Sequence, residues 1–430
     1  MEEFKIEKPI IDKQKYNDVI KKYLNNINEN NIPLSSLIEK TENPTYLYWS
    51  DLKYKDWIPT NYSPIDFWIL TKFKRNTNYL ESPIKSQNDT YFKYFETKKF
   101  KEILNRLTLK EIKENLDGYL KSSFIEESIS SSEIEGAHTT RSKAKKIILG
   151  EEKPSTISDQ MILNNFNAMH SLQDKYRNSA LSLEVIKELH IILTFNDKSI
   201  EDNKKGAFRS NEDEIIIGDN LKNEYTYKAP NTGFLEKEIQ NLIDFANRED
   251  YDINPIIKAI MIHFWFSYLH PFVDGNGRLA RCLFYWFLLK NKLDIFAYYP
   301  LSSLIKRSRK QYDNAFLYTE QDDNDLNYFI DYNLRKIIEA KELFEKYFEE
   351  KEKEQQNIDK ISFDNDLNSR QEQLLKDINL NRFFYITLTY YMNLFDISKP
   401  TGIKDLQDLA EKKLLVSKKV GKEVRYYKNR

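Results

Sequence analysis

The spacing of apolar residues along this 430-residue chain changes several times, and the changes divide it into regions. Residues 1–110 are polar, aromatic and rich in Lys and Asn. There "NPTYLYWSDLKYKDWIP" and "SPIDFWILTKFKR" predict short elements packed by Trp49, Trp57 and Trp68. From about 111 the period becomes helical. In "LDGYLKSSFIEESISSSEIEG", Leu116, Leu120, Phe124, Ile125 and Ile129 predict one apolar helix face, with Gly136 as its C-terminal cap. "SDQMILNNFNAMHSLQDKY" predicts a helix with Ser158 as N-cap and Asp159 in the first turn, and "SLEVIKELHIIL" one capped by Ser182. Strand character then takes over. Ile215–Ile217, a Gly218-Asp219-Asn220 turn and Tyr225–Tyr227 predict a β-hairpin. "TGFLEKEIQNLIDFAN" and "NPIIKAIMIHFWFSYL" are helical again, the second apolar nearly all round and therefore buried. "LARCLFYWFLLKNKL" is a further buried helix, and residues 305 to about 355 read as one long, increasingly charged helix.

The pattern therefore predicts a mainly α protein. Its regions are an N-terminal helical lobe at 1–110, a helical region at 111–157, a core at 158–345, a helix end or linker at 346–365 and a small unit at 366–430. Composition narrows the class. Hydrophobic residues make up 40% and the formal net charge is -1, so the chain folds and carries no global attraction for polyanions. Its one cysteine, Cys282, sits in an apolar run and reads as core, which fits a reducing, cytoplasmic setting. The first residues lack the basic and apolar regions of a signal peptide, and no apolar run reaches the ~20 residues of a membrane span. No membrane partner is expected.

Between the two most apolar helices lies "HPFVDGNGRLAR", His270 to Arg281. Only 10 glycines occur in the chain, and Gly275 and Gly277 are two of them, so their pairing is informative. A Gly-Asn-Gly turn lets several backbone N–H groups converge on an anion, and the helix that follows points its free N–H groups at the same place. Arg278 and Arg281, three apart, share a helix face and can each fork onto phosphate oxygens. Asp274 would repel bare polyphosphate but can hold Mg²⁺ that bridges phosphates. His270 is placed to accept a proton from an attacking hydroxyl. Singly, each part has an ordinary structural explanation. Together, charged groups between apolar helices demand counter-charges.

This stretch resembles the Fic-domain signature, HxFx(D/E)GNGRxxR, at every defined position, and "GAFRS" (Gly206–Ser210) ahead of a hairpin resembles the Fic core. The resemblance spans about 110–340 and implies a Fic-type helical core with a β-hairpin flap. It implies transfer of AMP from ATP, with Mg²⁺, to a Ser, Thr or Tyr hydroxyl of a target protein or of the chain itself. His270 would be the base and Asp274 the Mg²⁺ ligand. Gly275, Asn276 and Gly277 would hold the α- and β-phosphates with backbone and amide donors, Arg278 the β-phosphate and Arg281 the γ-phosphate. Phe272 would be a core anchor, and the hairpin at about 214–228 would dock the target by strand addition. Gly277 stands where a phosphorylating branch carries Lys. Tyr312 is the candidate adenine-pocket residue.

"SSSEIEG" is similar to a second family pattern, (S/T)xxxE(G/N), through Ser131, Glu135 and Gly136. It implies an inhibitory helix at 111–157 whose Glu135 pairs with Arg281 and spoils ATP alignment. Breaking a buried pair of this kind costs about 3–5 kcal/mol, so a nearly silent enzyme is expected. The same Glu135 can instead serve removal of AMP. At the C-terminal end, helix, turn, helix and a hairpin around Gly421 or Lys422 resemble a winged helix-turn-helix. Ile403, Leu406, Leu409 and Ala410 mark its second helix. From Lys399 to Arg430 there are ten Lys/Arg against four Asp/Glu. Contact of Lys399, Thr401 and Lys404 with DNA stands beside protein docking or homodimerisation. The alternatives to an auto-inhibited transferase are thus a deAMPylase and a DNA-binding regulator with a nucleotide-sensing core.

Overall fold

The computed structural model describes residues 2–26, 34–107, 117–219, 224–249, 252–379, 383–421 and 423–429. Leu116, Asn220 and Lys422, used in the sequence expectations, lie outside them. Among the described residues the fold is mainly helical with three small sheets. Two compact units divide the chain. One is Met1–Leu109, Glu127–Phe296 and Leu301–Ile338; the other is Lys110–Glu126, Ala297–Pro300 and Glu339–Arg430.

The first unit opens with β1 (Glu2–Glu3), α1 (Lys13–Asn26), α2 (Leu34–Glu39), α3 (Trp49–Leu52) and α4 (Pro64–Asn76). A hairpin, β2 (Leu80–Lys85) and β3 (Tyr91–Tyr94), and α5 (Lys98–Arg106) follow, so this lobe is not purely helical. Ser63 and Asp66 form a reciprocal capping box ahead of Pro64, which starts α4. Trp49 and Trp68 are buried in the lobe core and Trp57 packs against it. Arg75, fully buried there, lies over the Tyr46 ring at 3.6 Å and donates to the carbonyls of Thr41 and Leu47.

Next come α6 (Asp117–Ile134), α7 (Arg141–Ile148), α8 (Ile157–Asp174) and α9 (Leu183–Leu193). The expectation of a single apolar face on α6 does not hold. Ser128, Ser130, Ser131 and Ser132 are buried beside Phe124, Ile125 and Ile129, because serine is small enough to pass on every side of a helix when its hydroxyl finds a partner. The N-cap of α8 is Thr156, not Ser158: Thr156 and Asp159 bond reciprocally, whereas the Ser158 hydroxyl accepts from His138 N. Ser182 caps α9 as expected, accepting from Val185 N.

The hairpin forms β4 (Ile216–Asp219) and β5 (Glu224–Lys228), with a bulge at Ile217/Gly218; Gly218 and Asp219, expected in the turn, instead pair within the ladder, opposite Tyr225 and Glu224. β1 adds to β5 in parallel, giving the order β1-β5-β4. Then α10 (Thr232–Asn247), α11 (Pro255–Leu269) and α12 (Asn276–Lys290) build the centre, and α11 is buried from Ile256 through Phe266. The single long helix expected from 305 is three helices: α13 (Leu301–Arg307), α14 (Arg309–Gln321) and α15 (Asn327–Asp364). The chain turns between the last two with Asp323 and Asn324 at φ 60° and 57°, a conformation their short polar side chains tolerate.

In the second unit α16 (Ser369–Asn379), β6 (Ile386–Thr387), α17 (Leu388–Phe395), α18 (Lys399–Glu411), β7 (Leu415–Val420) and β8 (Glu423–Lys428) surround a core of Leu374, Ile378, Tyr391, Leu406 and Leu409. The sheet order is β6-β8-β7. Buried Asp405 ties it together, accepting from Asn368, Arg370 and Tyr391. Among the described residues no helix is long and apolar enough to cross a membrane.

Candidate active site

α11 ends where His270 adopts a left-handed conformation, φ 47°, its N–H donating to Phe266 O at 3.1 Å. The exit is held from outside by Arg209, whose Nε donates to His270 O at 2.8 Å and whose Nη2 donates to Pro230 O. Phe272 is fully buried and stacks on the His190 ring, centroids 3.7 Å apart and planes 5° from parallel. Asn276 closes the loop onto itself. Its Oδ1 accepts from Phe272 N at 2.9 Å and its Nδ2 donates to Phe272 O at 2.8 Å. The amide expected to meet phosphate is therefore committed to the loop, which leaves the backbone N–H for an anion.

Gly275 caps the start of α12 at φ 83°, and a Cβ there would lie 3.3 Å from His190 Nε2. Glycine is thus required both for the backbone and for the close approach. His190 Nδ1 accepts from Gly206 N at 2.9 Å, so Nε2 carries the proton and donates to Asp274 O at 2.9 Å. Burial pushes the His190 pKa down to about 4 and keeps this neutral tautomer. His190 was not singled out from the sequence, and Arg209 entered only as a member of "GAFRS", without a role. Both lie far along the chain from the motif, and no local spacing assigns either to the loop.

The two arginines of α12 do not meet the same partners. Arg278 has no exposed surface. Its Nη1 donates to Leu193 O at 3.1 Å, while Nε and Nη2 have no hydrogen-bond partner. The nearest carboxylate oxygen paired with it is Asp274 Oδ1, 3.7 Å from Nη2. A buried guanidinium with two unsatisfied donors is costly unless an anion completes it. Arg281 is engaged instead through Nε and Nη2. Nε donates to Ser131 Oγ at 2.8 Å, and Nη2 donates to Ser131 O and Glu135 Oε1, both at 2.9 Å.

Glu135 follows the end of α6, just before Gly136 at φ 90°. Its Oε1 would lie 2.2 Å from a Cβ on Gly277, so the carboxylate rests on the bare Cα surface of the first turn of α12. Burial alone would raise its pKa. The guanidiniums of Arg281, Arg278 and Arg309 outweigh that and hold it below the usual range, so it is ionised. The side chain nevertheless keeps 28% of its surface accessible, so solvent weakens the pair relative to a sealed one. Arg309 Nη1 also donates to Ile134 O at 2.7 Å, and Lys306 pairs with Glu133 at 2.7 Å.

His270 is largely enclosed, its ring 5.9 Å from that of Tyr227 on β5. Burial pushes its pKa down to about 4, against partial opposition from Ser267, Glu135 and Asp274. Asp274 projects outward with 53% of its side chain accessible. Among the described residues no group of three or more His, Cys, Asp or Glu is placed to hold a metal ion. Tyr312 on α14 is buried, edge-on to Phe316, with its hydroxyl 3.0 Å from His263 Nε2. The site thus combines an anion-ready helix N-terminus, an unsatisfied buried arginine, a neutral histidine and a carboxylate lying over the cradle.

Comparison with known proteins gives this arrangement a context. The Fic/DOC family model matches residues 180–288, which include α9, the hairpin and the whole motif. A protein adenylyltransferase Fic of Drosophila mojavensis is 32% identical over 145 residues, covering 32% of this chain and 25% of that protein. A probable protein adenylyltransferase of Aquifex aeolicus is 25% identical over 180 residues, covering 41% of this chain and 53% of that protein. The matched part therefore spans from a quarter to about half of these relatives. A solved Fic family protein from Desulfovibrio desulfuricans has a TM-score of 0.48 at 20% identity, covering 76% of this chain and 93% of that one.

Proposed function

We propose that this chain, which carries a Fic/DOC-family domain at residues 180–288, is a protein adenylyltransferase held back by Glu135. The observation that carries the reading is the division of labour between the two arginines. Arg278 keeps two buried donors unsatisfied, while Arg281 and the first turn of α12 are occupied by Ser131 and Glu135. ATP fits the empty half of this arrangement. Its phosphates would take the free donors of Arg278 and the backbone N–H groups of Gly275–Gly277, where the α12 dipole favours negative charge. The γ-phosphate would need Arg281, which Glu135 holds.

With Glu135 displaced, the hydroxyl oxygen of a target Ser, Thr or Tyr attacks the α-phosphorus. A new P–O bond forms, the bond to the bridging oxygen breaks, and pyrophosphate leaves with that electron pair. His270, neutral through burial, accepts the hydroxyl proton. Arg278 stabilises charge that grows on the leaving phosphates. A divalent cation bound with the nucleotide neutralises phosphate charge. Asp274 is the residue that would hold it, and one exposed carboxylate suits Mg²⁺, which takes its other ligands from phosphate and water.

The target reaches this chemistry past the β4/β5 hairpin. Among the described residues β1 already pairs with β5, with Phe4 N donating to Tyr225 O at 2.7 Å, so the edge left for an added strand is β4. Ile216 and Ile217 are exposed on that strand. Modification of the chain itself, and a cytoplasmic setting consistent with buried Cys282, belong to the same reading. For the C-terminal unit, which we read as a winged helix, α18 places Lys399 and Lys404 on one groove with Asp408 and Glu411. This mixed charge favours neither DNA nor a second copy of the chain.

A second reading shares the site. Of the Glu135 oxygens Oε1 accepts from Arg281, and the side chain is part-exposed, which leaves Oε2 to orient a water for removal of AMP. The deciding test is transfer of label from α-³²P-ATP with Mg²⁺ by wild type, Glu135→Gly and Glu135→Gly/His270→Ala. Label in the single mutant alone is expected. Silence of all three, with labelled CTP, GTP and UTP also silent, would favour the deAMPylase or nucleotide-sensor readings.

A further inference from the structure

The brake has a second point of attachment, away from the nucleotide cradle. On α6, Glu127, Ser131 and, just beyond its end, Glu135 recur every fourth residue; on α12, Gly277, Arg281 and Tyr285 do the same. Residues four apart share a helix face. The two stripes meet in antiparallel order. Tyr285 OH donates to Glu127 Oε2 at 3.0 Å, Arg281 Nε donates to Ser131 Oγ at 2.8 Å, and Glu135 rests on Gly277.

The Glu127 rung is the most rigid. Glu127 is 2% exposed, and its carboxylate also accepts from Ser302 N at 2.9 Å and from the Ser302 hydroxyl. The Tyr285 hydroxyl accepts in turn from Leu301 N at 3.1 Å. One backbone group, one short side chain and one ring hydroxyl, itself held by Leu301 N, therefore define where this carboxylate lies. Arg281 reaches Ser131 through a long, flexible stem and can follow α6 if it shifts. Burial raises the Glu127 pKa, with the Ser302 and Tyr285 donors opposing the rise. An apolar residue would fill this space at less cost, so the buried carboxylate calls for a role.

We propose that Glu127 is a positioning residue that sets the register of α6 against α12, so that Glu135 falls on Gly277 and Arg281. The inference rests on reading Glu135 as the brake. A helix displaced by one residue moves about 1.5 Å along its axis and turns about 100°, enough to carry Glu135 off the cradle. Partners of the Glu127 rung, rather than the nucleotide pocket, then decide how firmly the brake is set.

The test is AMP transfer from α-³²P-ATP by wild type, Tyr285→Phe and Glu127→Gln, each also combined with Glu135→Gly. Tyr285→Phe keeps the ring and removes only the hydroxyl. It is expected to raise wild-type transfer about tenfold, the worth of one buried hydrogen bond. Glu127→Gln, which keeps shape and loses charge, should raise it in the same direction. In the Glu135→Gly background neither change should alter kcat or the KM for ATP, because no brake remains to be positioned. Wild-type rates in both single variants, or an equal loss in both backgrounds, would overturn the proposal. If Glu135→Gly itself is no faster than wild type, the brake reading fails first and the register role falls with it.

Discussion

Replacing Glu135 with glycine removes one carboxylate from Arg281 and uncovers the Cα surface of Gly277. The size of the effect can be bounded from the geometry. At 2.9 Å an ion pair gains roughly 6 kcal/mol in an effective dielectric of about 20, before desolvation is charged against it. Exposed pairs retain about 0.2–1 kcal/mol, and loss of one partner from a sealed pair costs about 3–5 kcal/mol. Two facts place this pair between those limits. The Glu135 side chain is 28% accessible, and Arg281 keeps both of its bonds to Ser131 when Glu135 is gone. An effect of about 2–3 kcal/mol follows, equal to roughly 30- to 150-fold at about 1.4 kcal/mol per factor of ten. This is less than the near-total silence expected from a fully buried pair. The assay is kcat/KM for ATP in auto-modification, wild type against Glu135→Gly, with Glu135→Gln between them because it keeps one neutral acceptor. A ratio below about threefold would refute the argument that the carboxylate and the γ-phosphate compete for Arg281.

Other outcomes follow from the same geometry. In the Glu135→Gly protein, kcat/KM should stay level between about pH 8 and about pH 5, because a His270 pKa lowered to about 4 keeps the imidazole neutral until acid is stronger. Removing Glu135 also removes one influence that raises this pKa, so a half-loss near 6.5, the ordinary histidine value, would contradict the role of burial. Asn276→Ala should destabilise the fold by about 2–4 kcal/mol, since two hydrogen bonds to Phe272 vanish and leave buried backbone groups unpaired. A loss below about 1 kcal/mol in urea unfolding would show that water replaces the amide. His190→Phe preserves the stack on Phe272 but loses the bonds to Gly206 N and Asp274 O, so about 2 kcal/mol should be lost. An unchanged unfolding midpoint would argue that the stack alone holds the loop.

The mainly helical architecture was legible because it is written in local periodicity. The apolar run of α11, the Ser182 cap of α9 and the isoleucine and tyrosine runs of β4 and β5 act over a few residues each. Errors arose where two local signals competed. Ser158 and Thr156 can both cap, and only the reciprocal partner Asp159 chose between them. The break of the expected long helix at Asp323-Asn324 needed two consecutive left-handed residues, which composition alone does not mark. On α6 the apolar residues read as one face, yet partners on other helices allow its serines to be buried as well.

By itself the sequence determined the chemical kit of residues 270–281. A histidine, an acid, a glycine turn and two arginines within twelve positions must share one helix start, whatever surrounds them. The resemblance of that stretch and of "SSSEIEG" to known patterns supplied the expected pairing of Glu135 with Arg281. Tertiary structure alone decided how that kit is set. It brought Glu135 within 2.9 Å of a guanidinium 146 residues away and left Arg278 with donors unsatisfied. It also turned the Asn276 amide inward and put His190 beneath the turn. The physical reason is the range of the forces. Capping and periodicity act within a few residues, whereas the partner of a buried charge is whatever the packed fold places there.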